Sequence, residues 1–252
     1  MADLQSHQRI LSIDIGGTRI KATVLNPEGE MSFEYQKIAT PSSGEPDDVV
    51  LAIKTLIREF PDFDMVSVGF PGYVRKGIVN TAPNLGSKKW RGVPLAQVLA
   101  TELGKPVRLV NDADMQGLGV IGSDGLELVV TLGTGFGTSL FMDGYLLPNL
   151  ELAHHPIAND ETYDQYIGDE AYKRIGEESW NKRLKEIIKI LLKVFNYDHL
   201  YLGGGNSKKI KFTLADKVTL VSNREGIRGG SKLWRLPEGG GLMTIHPGKS
   251  KK

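Results

Sequence analysis

Two glycine-rich turns, 117 positions apart, most constrain what this chain can fold into: Asp14-Ile15-Gly16-Gly17-Thr18 and Thr131-Leu132-Gly133-Thr134-Gly135-Phe136-Gly137. Each follows an apolar run of β character, Arg9 to Ile13 and Leu128 to Val130. Each leads into a second one, Ile20 to Leu25 and Thr138 to Met142. The pattern is strand, tight glycine turn, strand, written twice. Glycine lets backbone N–H groups turn towards an anion with no Cβ in the way, and threonine adds a hydroxyl donor. Two ordinary hairpins would also use glycine. The repetition, with Asp14 at the first strand end and Thr131 at the second, favours two phosphate loops that grip one phosphate chain from both sides.

The segments around the turns follow one order in both halves. After the first hairpin (9–25) come a third strand near 31–39 and a helix capped by Asp47-Asp48, with Val50, Ile53, Leu56 and Ile57 at helical spacing. A buried strand, Met65 to Phe70, ends in Pro71-Gly72, and a hairpin-like stretch (73–82) precedes the Pro83-Asn84-Leu85 loop. Pro94 reads as the first residue of a helix that stops at Gly104. The strand Val107 to Val110 then delivers Asn111-Asp112-Ala113-Asp114. The second half runs through the hairpin 127–147, helical sequence over 163–175, a helix over 177–195, a strand at His199 to Leu202, and a last strand, Val218 to Val221. This order predicts two duplicated α/β domains, 1–113 and 114–252, around a central cleft that holds the ligand.

Composition narrows the class. Of 252 residues, 40% are hydrophobic and 24% charged, as in an ordinary globular protein. No cysteine is present, which excludes disulfides and thiolate metal sites, so zinc is not expected. No apolar run approaches membrane length and the start lacks an apolar leader, so a cytoplasmic protein without a membrane partner is the expectation. A net charge of +1 argues against a nucleic-acid partner. Basic clusters at Lys88-Lys89, Lys182-Arg183 and Lys208-Lys209 read as solvated faces. The tail Lys249-Ser250-Lys251-Lys252 reads as a disordered end.

In this order the chain resembles the sugar kinases of the ROK family, within the actin-like ATPase superfamily, and most of all their polyphosphate glucokinase branch. The residues that carry the likeness are Asp14 to Thr18, Gly69-Phe70-Pro71-Gly72, Val110 to Asp114, Leu132 to Gly135, Glu151-Leu152-Ala153-His154 and Gly203-Gly204-Gly205-Asn206-Ser207-Lys208-Lys209. Gly229-Gly230 with Leu233-Trp234 point to the same branch. The resemblance implies the actin-like (ribonuclease H-like) fold. It also implies transfer of a phosphoryl group from polyphosphate or ATP to the 6-hydroxyl of glucose, with Mg²⁺, by a homodimer. Alternatives are an ATP-dependent kinase for mannose, fructose or an amino sugar, and a sugar-responsive regulator. The regulators carry a helix-turn-helix domain before the kinase-like core, and only eight residues precede the first strand here.

The resemblance also distributes roles. Asp112 matches the catalytic base, a carboxylate at a strand end that orients the sugar hydroxyl and takes its proton; as a residue it would equally cap the next helix. Asn84, Gly72, Asn111, Glu151 and His154 match sugar-binding positions, with Asp114 as support. Gly16, Gly17, Thr18, Gly133, Thr134, Gly135, Gly204 and Gly205 match donor-binding positions. Asp14 would hold Mg²⁺ through water. Lys21 either touches phosphate or is an exposed strand lysine. Asp164 is the nearest alignable acid to a second sugar-binding carboxylate. Lys208-Lys209 and Lys182-Arg183 would contribute a basic groove for polyphosphate. Trp90 and Trp234 read as packing or lid residues.

Overall fold

The computed structural model describes residues 8–147, 150–158, 160–222 and 226–248, so the basic tail lies outside the described residues. The chain divides into two compact units, Met1–Gly119 with Ile227–Lys252, and Val120–Gly226.

The first unit is built on β1 (Ile10–Ile15), β2 (Arg19–Leu25), β3 (Gln36–Ala39), β4 (Met65–Phe70), β5 (Val74–Arg75), β6 (Ile78–Val79) and β7 (Val107–Asn111). Its helices are α1 (Pro46–Leu56), α2 (Ser87–Trp90), α3 (Leu95–Leu103) and α4 (Asp112–Val120). The main sheet has the order β3-β2-β1-β4-β7; β1 runs antiparallel to β2 and parallel to β4, and β4 runs parallel to β7. Strict alternation sets its two faces. Leu11, Ile13, Ile15, Val66, Val68 and Phe70 bury against Val49, Val50 and Ile53 of α1 and Leu95 and Leu99 of α3. Each such side chain contributes about 1.5–3 kcal/mol when fully buried. The opposite face carries Ser12, Asp14, Lys21, Ser67 and Gly69.

The second unit repeats the plan with β8 (Leu126–Leu132), β9 (Phe136–Met142), β10 (Tyr145–Leu147), β11 (Pro156–Ala158), β12 (Glu161–Thr162), α5 (Tyr163–Ile167), α6 (Asp169–Phe195), β13 (His199–Gly203) and β14 (Val218–Leu220). Its main sheet has the order β10-β9-β8-β13-β14, again with two antiparallel pairs followed by two parallel ones. Duplication is therefore explicit in topology. Asp14 pairs with Gly69 across β1 and β4, and Thr131 pairs with Gly203 across β8 and β13. Leu128, Val130, Leu200 and Leu202 bury against Trp180, Leu184, Ile187 and Leu191 of α6.

Several expectations need correction. The described segment 227–248 belongs to the first unit, not the second. It holds a short helix, α7 (Gly229–Lys232), and a 3₁₀ turn, Leu233–Arg235. Buried Arg108 donates to the carbonyls of Leu233 (2.7 Å) and Leu236 (2.9 Å). Val107 exchanges backbone bonds with Ile245. Trp234 is a packing residue: Arg108 lies over its ring, and its indole N–H donates to Ser67 Oγ at 2.8 Å. Trp90 is fully buried on Phe70. Helix α1 is capped at Glu45 with Pro46 as its first residue, so Asp47 and Asp48 fill the first turn, where anions suit the helix dipole. Pro94 is the N-cap of α3 rather than its first residue. The third strand starts only at Gln36, because Phe33 turns its carbonyl to Thr23 Oγ1 and its ring to Phe60. The helical stretches end at Gly168 and Gly176, whose backbones leave the helical region; Gly176 has φ 76°.

One buried charge organises the start of the second unit. Glu127 is 2% exposed, and its carboxylate accepts from the N–H of Gly122 (2.7 Å), the N–H of Ser123 (2.8 Å) and Tyr201 Oη (2.8 Å). Burial and this bond push the Tyr201 phenol up to about 12. In Glu127→Gln one acceptor oxygen becomes an N–H₂ facing a donor, and the unfolding free energy is expected to fall by about 2 kcal/mol. A urea titration followed by tryptophan fluorescence measures it.

Candidate active site

In the first unit the predicted residues gather at the carboxyl ends of β1, β4 and β7. Asp14, at the end of β1, faces Lys21 across the β1–β2 ladder, and the two form an ion pair at 3.0 Å. Burial alone would lower the Lys21 pKa, but the Asp14 carboxylate and Tyr35 raise it above the ordinary lysine value. Lys21 is thus a half-buried partner of Asp14 and not an exposed strand lysine. Beyond Ile15 the turn closes through the Gly16 N–H on the Arg19 carbonyl at 3.0 Å, and Thr40 Oγ1 donates to the Gly16 carbonyl at 2.7 Å. Gly17, Thr18 and Arg19 are exposed at its tip.

Two contacts tie this turn to the sugar-site candidates. A Cβ on Gly17 would lie 3.1 Å from Asn84 Cβ, so the Pro83-Asn84 loop sits against the phosphate turn. A Cβ on Gly69 would lie 3.2 Å from Asp112 Cα and 2.9 Å from Met115 Cε. Gly69 is also the β-ladder partner of Asp14. Only glycine there lets the first turn of α4 rest directly on β4, which brings Asp112 to the strand next to Asp14.

Capping of α4, which the sequence allowed at Asp112, falls to Asn111. Its Oδ1 accepts from the N–H groups of Ala113 (2.7 Å) and Asp114 (3.4 Å), and its Nδ2 donates to the Gly72 carbonyl at 3.1 Å. Asn111 is the cap of α4. Asp112 is the first helical residue, partly exposed, with Oδ1 accepting its neighbour's N–H at 2.9 Å. The first turn of a helix favours a carboxylate. Asp114 is buried in that same turn.

In the second unit the turn between β8 and β9 is clamped from outside. The Gly133 N–H donates to the Gly135 carbonyl (3.1 Å), and Asn206 Nδ2 donates to the Gly133 carbonyl (3.0 Å). The Asp169 N–H donates to the Thr134 carbonyl (3.3 Å). Thr134 is exposed at the tip, as Thr18 is in the first turn. Gly204 (φ 84°) packs on the Leu132 backbone, so the loop after β13 lies beside the turn after β8, and Gly205 opens the 3₁₀ turn Gly205–Lys209. Glu151 and His154 flank a 3₁₀ turn, Leu152–His154, with His154 Nε2 3.8 Å from Glu151 Oε2. Burial raises the Glu151 pKa, His154 opposes the rise, and Asp164 adds to it. Asp164 Oδ1 accepts the Phe136 N–H at 2.6 Å.

The basic clusters are largely committed to the fold. Lys209 binds Asp169 at 3.2 Å and lies 3.6 Å above the Tyr172 ring. Arg183 lies over Tyr166 and pairs with Glu161, and Lys182 pairs with Glu178. Lys208 is exposed, whereas Lys209 is half-buried. Of the residues expected to form a basic groove, Lys209 and Arg183 are engaged in ion pairs, whereas Lys208 and Lys182 stand at the surface. Sequence reasoning assigned no role to Asn206 or Asp169, which hold the second turn; their signal is a short polar side chain directly after a glycine (Gly205-Asn206, Gly168-Asp169). Nor did it single out Arg19, the exposed cation of the first turn.

No group of three or more His, Asp or Glu able to hold a metal ion occurs among the described residues, and no described helix is long and apolar enough to cross a membrane. Asp14 is a single carboxylate already paired with Lys21. That donor set fits a divalent ion carried in on a substrate's phosphates and touched through water, not a caged resident ion.

The ROK family model matches residues 10–149, from β1 through the second glycine turn. A polyphosphate glucokinase of Mycobacterium tuberculosis is 31% identical over 224 residues, which cover 84% of this chain and 82% of the relative. The crystal structure of an inorganic polyphosphate/ATP-glucomannokinase from Arthrobacter sp. strain KM superposes with a TM-score of 0.81 at 29% identity, covering 90% of this chain and 98% of that one. A ROK glucokinase from Streptomyces griseus, in complex with glucose and AMPPNP, shares the fold with a TM-score of 0.72 at 21% identity, over 89% of this chain and 98% of that one. The duplicated five-stranded sheets, the two glycine turns at equivalent strand ends and the family match agree: the chain belongs to the ROK family.

Proposed function

We propose that the protein is a glucokinase that transfers a phosphoryl group from inorganic polyphosphate or ATP to the 6-hydroxyl of glucose. The likeness to the mycobacterial polyphosphate glucokinase over 82% of its length carries the reading. The placement of Asp112 beside the first glycine turn supports it.

In this mechanism Asp112 accepts the hydrogen bond of the O6 hydroxyl and takes its proton as O6 attacks the terminal phosphorus. The Asn111 cap and the Gly69 contact fix the carboxylate. Asn111 keeps one amide hydrogen beyond its bond to Gly72 for a sugar hydroxyl. Asn84 and Gly72 shape the same wall. Backbone N–H groups of Gly16, Gly17 and Thr18 take donor phosphate oxygens, and Lys21 neutralises charge beside them. Within the second unit, the Gly133-Thr134-Gly135 turn and Gly204-Gly205 are the candidate donor-binding groups, and Glu151 and His154 the candidate sugar-binding groups. Asp14 would hold Mg²⁺ through water, and the ion would supply neutralisation of charge on the transferred group. An enzyme that consumes such donors is placed in the cytoplasm, and a homodimer, readable by light scattering, belongs to the same proposal.

A second reading, with mannose as acceptor, follows from the glucomannokinase neighbour. Phosphorylation rates measured with glucose and mannose, each with ATP and with long-chain polyphosphate, test both. The expected result is glucose phosphorylation with polyphosphate. A strong preference for ATP across a range of salt would remove the polyphosphate donor, and exclusive use of another hexose would remove glucose.

A further inference from the structure

Asp164 lies in the first turn of α5, yet that helix start does not need its side chain. Thr162 and Gln165 already form a complete capping box there. The carboxylate instead points at the second glycine turn. Its Oδ1 accepts the Phe136 N–H at 2.6 Å, immediately after Gly135. A Cβ on Gly135 would lie 2.6 Å from that oxygen and 3.1 Å from Oδ2, so the carboxylate rests flush on the turn's backbone. The Asp164 carbonyl accepts the Gly168 N–H at 2.9 Å, and the next residue, Asp169, donates its N–H to the Thr134 carbonyl.

Helix α5, which carries this carboxylate, also packs on the Leu152–His154 turn, and the Tyr163 N–H donates to the His155 carbonyl at 3.2 Å. The Asp164 charge adds to the upward shift of Glu151, and His154 partly offsets the rise that burial causes in Asp164 itself. Tyr163, next in the chain, packs its ring 5.1 Å from Phe136 and 6.3 Å from His155. One short segment thus touches the candidate donor turn and the candidate sugar motif within a single unit.

We infer that Asp164 is a positioning residue that couples the Gly133–Gly135 turn to the Glu151–His154 pair, so that binding of sugar tightens binding of the phosphate donor. The positioning role uses Oδ1, which is spent on the backbone of the turn, and is distinct from the sugar-binding role expected for Asp164. The inference rests on the proposed kinase activity.

Initial rates over a grid of glucose and donor concentrations, with whichever donor the wild type uses, give the factor by which saturating glucose lowers the donor KM. For the wild type this factor is expected to be about fivefold or more. Asp164→Asn keeps an acceptor for Phe136 but loses the charge; its donor KM without saturating glucose is expected to stay near the wild-type value while the factor falls to about one. Asp164→Ala loses both and is expected to raise the donor KM as well. A residue that merely stabilised the fold would lower the melting temperature and leave the factor alone. An unchanged factor in Asp164→Asn, or a wild-type factor of one, overturns the inference. Absence of any glucose phosphorylation by the wild type overturns the proposed function instead.

Discussion

Asp112→Asn is expected to lower turnover by roughly 10²-fold or more while leaving glucose binding nearly intact. The substitution is isosteric, and the asparagine oxygen can still accept the Ala113 N–H that Asp112 Oδ1 accepts at 2.9 Å. The Asn111 cap, which fixes the start of α4, is untouched. What disappears is the basic oxygen that takes the O6 proton. Turnover at saturating glucose and donor, compared with glucose affinity by calorimetry, separates the two effects. A fall in kcat without a fall in affinity marks an interaction made only in the transition state. Near-normal turnover would remove Asp112 from the role of base. Loss of glucose binding without loss of turnover would make it a sugar ligand only.

The frame of the fold was legible because it rests on short-range patterns. Alternation in Ile10–Ile15 and the apolar run of Met65–Phe70 fix strands and faces, and two similar turns announce duplication. Asp14, Gly72 and Asn111 stood out because each lies at or just after a strand end, whereas Lys21 lies within β2 and Asn84 in a loop. What the sequence did not disclose depends on long-range partners. Nothing local says that Lys209 is held by Asp169, 40 positions earlier, or that Arg108 binds carbonyls more than 120 positions later. A basic pair reads the same whether it faces solvent or an acid. The capping of α4 was ambiguous for a different reason: Asn111 and Asp112 are adjacent and both suit an N-cap. Geometry assigns the cap to the first and leaves the second in the helix. The domain boundary failed at 227–248 because return of the chain to the first unit is a tertiary event with no periodic signature.

That return also yields the largest expected effect on stability, at Gly229. A Cβ on Gly229 would be driven into the carbonyl oxygen of Met115, and one on Gly230 would strike the buried Ser12 hydroxyl. Helix α7 therefore lies with its backbone against α4 and β1, and the Gly230 carbonyl accepts Ser67 Oγ at 2.5 Å. The Met115 carbonyl belongs to a helix and cannot move without disturbing its own turn, so in Gly229→Ala the whole of α7 must shift. That shift would strain the Ser67 bond and, through Ser67, the anchor of Trp234. Overpacking of this kind costs about 3 kcal/mol where backbone has to yield, equivalent to a melting temperature lower by roughly 6–12 °C for a chain of this size. Turnover should fall with it, because Met115 follows Asp112 by one helical turn and both pack on Gly69. Ser231→Ala provides the contrast on the same helix. Its hydroxyl donates to the nearby Arg228 carbonyl, at 3.0 Å, and its loss should cost about 1 kcal/mol without changing kcat. Thermal melts and turnover of the two variants measured side by side decide the matter: equal melting temperatures would show that α7 does not bear on α4, and a destabilised Gly229→Ala with unchanged kcat would separate that packing from the position of Asp112.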